Sequence, residues 1–167
     1  MGAACKANLA LYAVNRGPRF FVGLAPGIEE ADLERAPKFG AMASDEQRAE
    51  QANAVATKKV IGQTLRKRGV RSLPGGDYGF PWNPIGLNSR DLELFVEWFG
   101  YTPAETLHAA TKLGGELMDM EIGQVREGFL ADLLLVEGDP TATISILRDK
   151  GNIAMIMKDG ALYKDAA

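Results

Sequence analysis

The chain has 167 residues, of which 46% are hydrophobic and 25% are charged, a balance typical of a folded protein rather than a disordered tail. The formal net charge is -3 and the basic residues are scattered, which argues against a nucleic-acid-binding face. No apolar run approaches the roughly 18 residues that span a bilayer, and the start lacks a signal-peptide pattern, so we expect no membrane partner and a cytoplasmic location.

The first quarter of the chain predicts a helix, a strand and a loop. Residues 4–15 are rich in helix formers and predict a helix that Gly17-Pro18 ends. The apolar run from Phe20 to Leu24 predicts a strand that is covered on both faces. Residues 25–43 follow no regular period and predict a long loop with a helical turn.

A long helix is predicted next. Ser44 and Gln47 form a capping-box pattern, the segment to Lys67 contains no proline, and Gly69 is placed as a C-cap. Apolar residues lie on two nearly opposite sides of this helix, which predicts neighbours on both sides. One side carries Ala54, Ile61 and Leu65, and the other carries Ala49, Ala52, Ala56 and Val60.

The following strand leads into the candidate site. Val70 to Leu73 predicts a short strand, and the glycine-rich segment Gly75-Gly76-Asp77-Tyr78-Gly79 follows it. Parallel α/β architectures build their sites at the carboxyl ends of strands, and glycine lets the backbone approach an ion or substrate closely. Asp77 is the candidate catalytic and metal-binding residue, because a carboxylate is a hard oxygen ligand that can also accept a proton from water. The alternative is an ordinary turn residue, since aspartate is common beside glycine.

Two further helices are predicted. Ser89 is a candidate N-cap for a helix that Gly100 ends, and its apolar face carries Leu92, Phe95, Val96 and Phe99. Thr102-Pro103-Ala104-Glu105 combines a capping box with proline at the first helical position, and it predicts a helix as far as Leu117. The predicted buried stripe of that helix is Leu107, Ala110, Leu113 and Leu117.

The last segment predicts the strands of a separate small sheet. Residues 131–136 and 153–157 are strand candidates, and Asp159-Gly160 predicts a type I′ turn into a further strand. Upstream, the alternation of helices and strands predicts an α/β fold with parallel strands and right-handed crossovers. So few parallel strands make a poor independent sheet, and we therefore expect the chain to be a slice of a larger architecture.

The supply of soft metal ligands is small. The sequence has one histidine, His108, and one cysteine, Cys5. A catalytic zinc site usually takes several imidazoles, so we expect that this chain cannot build one from its own residues. His108 is interpreted as a solvent-facing helix residue and Cys5 as an idle thiol, which fits a reducing compartment.

Two stretches carry a resemblance to a known family. Gly123 to Val136, followed by Gly138-Asp139-Pro140, and the segment Gly75 to Gly79 resemble parts of the amidohydrolase superfamily, in the branch of imidazolonepropionase and the metal-dependent Xaa-Pro dipeptidases. The resemblance implies that residues 1–120 are the last units of a TIM barrel, including its strands seven and eight. It also implies that residues 121–167 are the C-terminal strands of a small β-sandwich.

The resemblance further implies a function. In the family, the strand-eight Asp binds the metal and shuttles the proton of the hydrolytic water, and that role carries over to Asp77 alone. The implied activity is metal-dependent hydrolysis of a C–N bond in a small amide or dipeptide-like substrate, with a divalent metal such as zinc. The family's His ligands have no counterparts here and a complete barrel needs about 250 residues, so we expect a truncated chain. The alternative is an inactive structural fragment whose open barrel seam invites self-association.

Overall fold

The computed structural model of the chain describes residues 12–16, 19–24, 44–76, 78–79 and 84–165. These residues form two three-stranded sheets and four α-helices, and no helix among them is long and apolar enough to cross a membrane. In chain order the elements are β1 (Tyr12–Arg16), β2 (Arg19–Leu24), α1 (Asp45–Lys67), β3 (Arg71–Pro74), α2 (Ser89–Phe99), α3 (Pro103–Ala110), α4 (Lys112–Met118), β4 (Leu133–Val136), 3₁₀ helices at Ile144–Arg148 and Lys150–Asn152, β5 (Ile153–Lys158) and β6 (Ala161–Lys164).

The first sheet has the order β1-β2-β3. Strands β2 and β3 are parallel, with Val22 opposite Ser72, and α1 connects them as the sequence predicts. Strand β1 runs antiparallel to β2, so the expectation of parallel strands is wrong for this pair. The helix predicted over residues 4–15 is also wrong where the structure describes it, since Tyr12–Arg16 is a strand. Pairing with an adjacent strand overrides a weak helix propensity there.

Helix α1 begins and ends close to the predicted positions. Asp45 and Glu46 lie in its first turn, Arg66 and Lys67 lie in its last, and Gly69 follows with a φ of 68°. One side of the helix packs on the core. The second apolar side is exposed, so the prediction of neighbours on both sides is wrong for the part of the chain described; its residues are Ala49, Ala52, Ala56 and Val60. Alanine favours helix whether or not it is buried, so the spacing of alanines along α1 does not indicate that a neighbour packs on that side.

The core is built around helix α2. Phe95 is 0% exposed and its ring meets that of Phe99 edge to face, with 5.2 Å between centroids. Leu94, Trp98 and Ala109 complete this buried cluster, and α2 contacts α1, α3, β3 and the first 3₁₀ helix. The interpretation of the α2 aromatic residues as core is confirmed. The expected N-cap is wrong by one residue: Ser89 is the first helical residue, and Asn88 in the cap position makes no side-chain cap bond.

The capping box at Thr102 is present as predicted. The Glu105 backbone N–H donates to Thr102 Oγ1 at 3.2 Å, and the Thr102 N–H donates to Glu105 Oε2 at 2.8 Å. Arg66 of α1 adds a 2.9 Å ion pair to the same carboxylate. The Thr102 N–H first, and then Arg66, lower the pKa of Glu105 to about 2. This cap therefore ties the start of α3 to the end of α1.

The single helix predicted to run from the Thr102 cap to Leu117 is two helices. Thr111 separates α3 from α4, with φ -111° and ψ -79°, and its hydroxyl donates to the Leu107 carbonyl oxygen at 2.7 Å. Such a bond to the carbonyl four residues back bends helices. The predicted stripe is also wrong for α3, because Thr106 and Ala109 are its buried residues while Ala110 is exposed.

The second sheet is antiparallel with the order β4-β5-β6. Asp159 and Gly160 have φ values of 49° and 77°, as the predicted tight turn requires. Strand β4 begins at Leu133 rather than at the predicted residue 131. Asp132 instead anchors the hairpin, since its carboxylate accepts the Asp159 N–H at 2.8 Å and pairs with Lys158.

Candidate active site at the carboxyl end of β3

The candidate site lies where β3 ends. The strand is well packed, with Ser72 and Leu73 1% and 5% exposed, and Gly75 and Gly76 continue from it. Asp77, the sequence-predicted catalytic and metal-binding residue, lies outside the described residues. Its two neighbours in sequence are described, and they show how this segment meets the rest of the chain.

Gly76 passes so close to α2 that only glycine fits. A Cβ atom at this position would lie 2.3 Å from Tyr78 Cζ and 2.4 Å from Asp91 Oδ2. The Tyr78 hydroxyl donates to the Asn88 carbonyl oxygen at 3.3 Å. The segment after β3 is thus held against the first turn of α2, and the glycine that the sequence analysis singled out is used for a close approach.

Asp91, in the first turn of α2, is the most unusual charged residue of the site. Its side chain is 3% exposed, and its buried Oδ2 atom lies beside the Tyr78 hydroxyl. Burial raises the pKa of Asp91 to about 6, while the nearby Tyr78 hydroxyl and the Arg90 guanidinium act in the opposite direction. Burial first, and then the Asp91 carboxylate, raise the pKa of Tyr78, which keeps its proton at neutral pH.

Sequence reasoning missed Asp91. An acidic residue in the first turn of a helix normally complements the helix dipole from an exposed position, so its type and place carry no sign of burial. The usable signal was its distance along the chain. Asp91 comes 15 residues after Gly76 in the sequence, so the helix that carries it can pack against the end of the same strand.

A cavity of about 620 Å³ opens beside these residues. Its polar lining residues include Tyr78, Asn88 and Asp91, next to the glycines that follow β3. Its apolar lining residues come from α2, the first 3₁₀ helix and the second sheet, and they include Leu92, Leu147, Leu134 and Ile153. The arrangement can hold a largely apolar small molecule.

The described residues do not by themselves fit a metal centre. Within these ranges, no three His, Cys, Asp or Glu side chains lie close enough together to hold a metal ion. His108 is exposed, as interpreted from the sequence, and it lines a groove near the amino end of β3 together with Arg66 and Glu105. It therefore lies at the opposite end of the strand from Gly75.

Comparison with known proteins matches most of the C-terminal half of the chain to one protein family. Residues 87–162, which run from the turn before α2 into β6, match the amidohydrolase family. We refer to residues 87–162 as the amidohydrolase segment, after the family that they match. The resemblance that the sequence suggested is thereby confirmed over this part of the chain.

Ochratoxinase from Aspergillus niger is similar to this chain in sequence and in structure. It is 31% identical over 101 residues, which cover 59% of this chain and 20% of ochratoxinase. Its crystal structure superposes with a TM-score of 0.66 at 27% identity, over 77% of this chain and 30% of ochratoxinase. This chain therefore spans about a fifth of the length of the curated relatives it matches.

Two other crystal structures share the fold. One amidohydrolase matches with a TM-score of 0.70 at 25% identity, over 87% of this chain and 34% of its own. A Xaa-Pro dipeptidase with methionine bound in its active site matches with a TM-score of 0.63 at 26% identity, over 80% of this chain and 32% of its own. The chain that carries the amidohydrolase segment thus has the fold of a part of these enzymes, a small α/β piece with an open sheet.

Proposed function

We propose that this chain is part of a hydrolase that cleaves the C–N bond of small amide or dipeptide-like substrates. The proposal rests on one observation, the contact between the amidohydrolase segment and the residues that follow β3. The segment begins at Leu87 and includes the first turn of α2, which packs against Gly76 and Tyr78 on either side of Asp77. An Aspergillus niger ochratoxinase and a Xaa-Pro dipeptidase among the similar proteins support the same reaction class.

The proposal includes an assignment of the fold. Strands β2 and β3 correspond to strands seven and eight of a TIM barrel, and the sheet β4-β5-β6 belongs to a small β-sandwich that begins near residue 121. The parallel pairing of β2 with β3 and their connection through α1 support the first part. The separation of the two sheets supports the second.

Asp77 is the residue to which we assign the chemistry. It supplies a carboxylate to a divalent metal, zinc in this proposal, and accepts the proton of the attacking water. We assign the remaining metal ligands to segments outside these 167 residues, because the single histidine of the sequence, His108, lies at the other end of β3. The assignment follows from the place of Asp77 in the sequence, three residues after the end of β3 at Pro74.

The test compares two Asp→Asn variants of this chain in a barrel reconstituted with the strands that supply the remaining metal ligands, where the unsubstituted protein hydrolyses substrate. Zinc content and hydrolysis of a panel of N-acyl amides and Xaa-Pro dipeptides are measured with zinc supplied. Asp77→Asn should lower zinc-dependent hydrolysis by at least about 100-fold. Asp119→Asn is the matched control, since Asp119 has a φ of 56° at the end of α4 and asparagine tolerates that conformation. Equal rates in the two variants would remove Asp77 from the site.

A second candidate function has its own observation. Strand β4 is an edge of the described sheet, and its side chains Leu134 and Leu135 are 59% and 51% exposed. An apolar edge strand of this kind pairs readily with another chain. A structural fragment that self-associates would show this by light scattering, and Leu135→Lys would reduce the association. Val125→Lys, at a residue 90% exposed in a loop, is the control that should leave it unchanged.

A further inference from the structure

The two sequence neighbours of Asp77 both contact the first turn of α2. The Gly76 backbone packs so closely there that a Cβ atom would lie 2.4 Å from Asp91 Oδ2. The Tyr78 hydroxyl is hydrogen-bonded to the Asp91 carboxylate, and it also lies 3.3 Å from the Asn88 carbonyl oxygen. Asp91 therefore contacts the residue before Asp77 and the residue after it.

We infer that Asp91 is a positioning residue of the proposed hydrolase, which fixes the backbone on either side of Asp77 by accepting the hydrogen bond of the Tyr78 hydroxyl. This inference rests on the proposed function, in which Asp77 carries the chemistry. Asp91 does not act on a substrate itself, because its side chain is 3% exposed and its Oδ2 atom is buried. Its effect on the reaction is exerted through Tyr78 and Gly76.

Helix α2 gives Asp91 a rigid support. The residues one turn further along the helix, Leu94 and Phe95, belong to the buried core and are 3% and 0% exposed. A group held on a packed helix is placed more precisely than one held on a loop. The contacts of Asp91 therefore extend the rigidity of the core to the segment after β3.

The burial of this carboxylate favours a functional role over simple packing. An acidic residue in the first turn of a helix can complement the helix dipole from an exposed position, where it keeps its hydration. Asp91 is buried instead, and burial raises its pKa to about 6, so its ionised form lowers the stability of the fold. Groups of this kind occur preferentially at functional sites, where a fixed geometry is retained at a cost in stability.

Small changes in the position of a catalytic group have large effects on rate. Adjacent Cα atoms are about 3.8 Å apart, so the places of Gly76 and Tyr78 restrict the Cα atom of residue 77. A misplacement of about 1 Å can lower a rate by about 100-fold. Loss of a residue that orients a metal ligand typically costs about 10- to 100-fold. Loss of the hydrogen bond between Tyr78 and Asp91 should therefore lower kcat by about 10- to 100-fold and leave KM nearly unchanged.

The first measurement is made in the same reconstituted barrel as the test of Asp77. Tyr78→Phe and Asp91→Ala each remove the hydrogen bond and should lower kcat by about 10- to 100-fold. Asp91→Asn keeps an acceptor oxygen at nearly the same place and should retain most of the rate. The double variant of Tyr78→Phe and Asp91→Ala should be no slower than the slower single variant, because both changes remove one interaction. Glu97→Gln, at an exposed residue of α2, is the control that should keep the wild-type kcat.

The second measurement requires no turnover. The isotopically labelled 167-residue chain is studied by NMR, and the heteronuclear NOE of the Asp77 amide reports how rigidly that residue is held. In the wild type and in Asp91→Asn this NOE should match that of Trp98 in the α2 core. In Tyr78→Phe and Asp91→Ala it should fall, and circular dichroism checks that each variant is folded.

Two results would overturn the inference. One is an Asp77 NOE or a kcat that Tyr78→Phe and Asp91→Ala leave unchanged. The other is an equal loss of kcat in Asp91→Asn and Asp91→Ala, since it would mean that the charge of Asp91 matters and its acceptor oxygen does not. The proposed function fails on a different result, a wild-type rate in Asp77→Asn. The NMR comparison decides whether Asp91 holds the segment even when no hydrolysis is seen.

Discussion

Replacing Asp91 by asparagine should make the folded chain more stable at neutral pH. The carboxylate is buried, and burial raises its pKa from 3.8 to about 6 even though the Tyr78 hydroxyl lies nearby. A buried carboxyl group with a raised pKa costs folding free energy once it is ionised. Asparagine has nearly the same size but no charge, so this cost disappears in Asp91→Asn.

The direction and magnitude of the expected change in stability follow from proton linkage. The folded chain holds the Asp91 proton more tightly than the unfolded chain, so this residue lowers the free energy of unfolding as the pH rises from about 4 to about 6. A pKa difference of about two units corresponds to about 3 kcal/mol. Asp91→Asn should therefore match the wild type near pH 4 and exceed it by up to about 3 kcal/mol above pH 6.

Urea unfolding followed by tryptophan fluorescence measures this effect, because Trp98 is buried in the α2 core. The free energy of unfolding is compared for the wild type, Asp91→Asn and Glu97→Gln across this pH range. Glu97 is exposed on the same helix, and its variant should keep the wild-type pH dependence. A variant Asp91→Asn that is less stable than the wild type at neutral pH would refute the reasoning, since it would mean that Tyr78 and Arg90 more than offset the burial of the charge.

Two pairs of variants test the packing and the caps by thermal or urea unfolding. Gly62→Ala should lower the free energy of unfolding by about 1–3 kcal/mol, because its Cβ would lie 2.2 Å from the Phe99 ring. Gly114→Ala, with nothing within 4 Å, should instead raise it by about 0.5–1 kcal/mol, and the same sign in both would contradict the close contact at residue 62. Thr102→Ala should cost about 1 kcal/mol through the loss of the α3 cap. Thr57→Ala, inside α1, should be neutral or slightly stabilising, and an equal loss at both threonines would argue against a capping role.

Much of the local structure was predictable from short stretches of sequence. The Thr102 cap, the Asp159-Gly160 turn and the end of α2 at Gly100 all appear where their residue types predict them. The closing signature of the amidohydrolase superfamily was likewise readable without coordinates, and the family match contains it. These features depend on interactions between residues a few positions apart, so the sequence carries the whole signal.

The elements that were mispredicted depend on distant neighbours. Tyr12–Arg16 forms a strand because β2 offers it a partner, and α3 buries Thr106 and Ala109 where it packs against α2 and β3. Neither effect has a local signature, because propensity is weak compared with pairing and burial.

Sequence by itself determined the α/β class, the amidohydrolase resemblance and the choice of Asp77, since these rest on residue types and their spacing. Only the tertiary structure brought Asp91 against Gly76 and placed Leu134 and Ile153 of the second sheet in the lining of the same cavity. A cavity and the pKa of a buried carboxyl group arise from chain segments far apart in sequence. Their free energies depend on how completely water is excluded where those segments meet, and this depends on the packing of the whole fold.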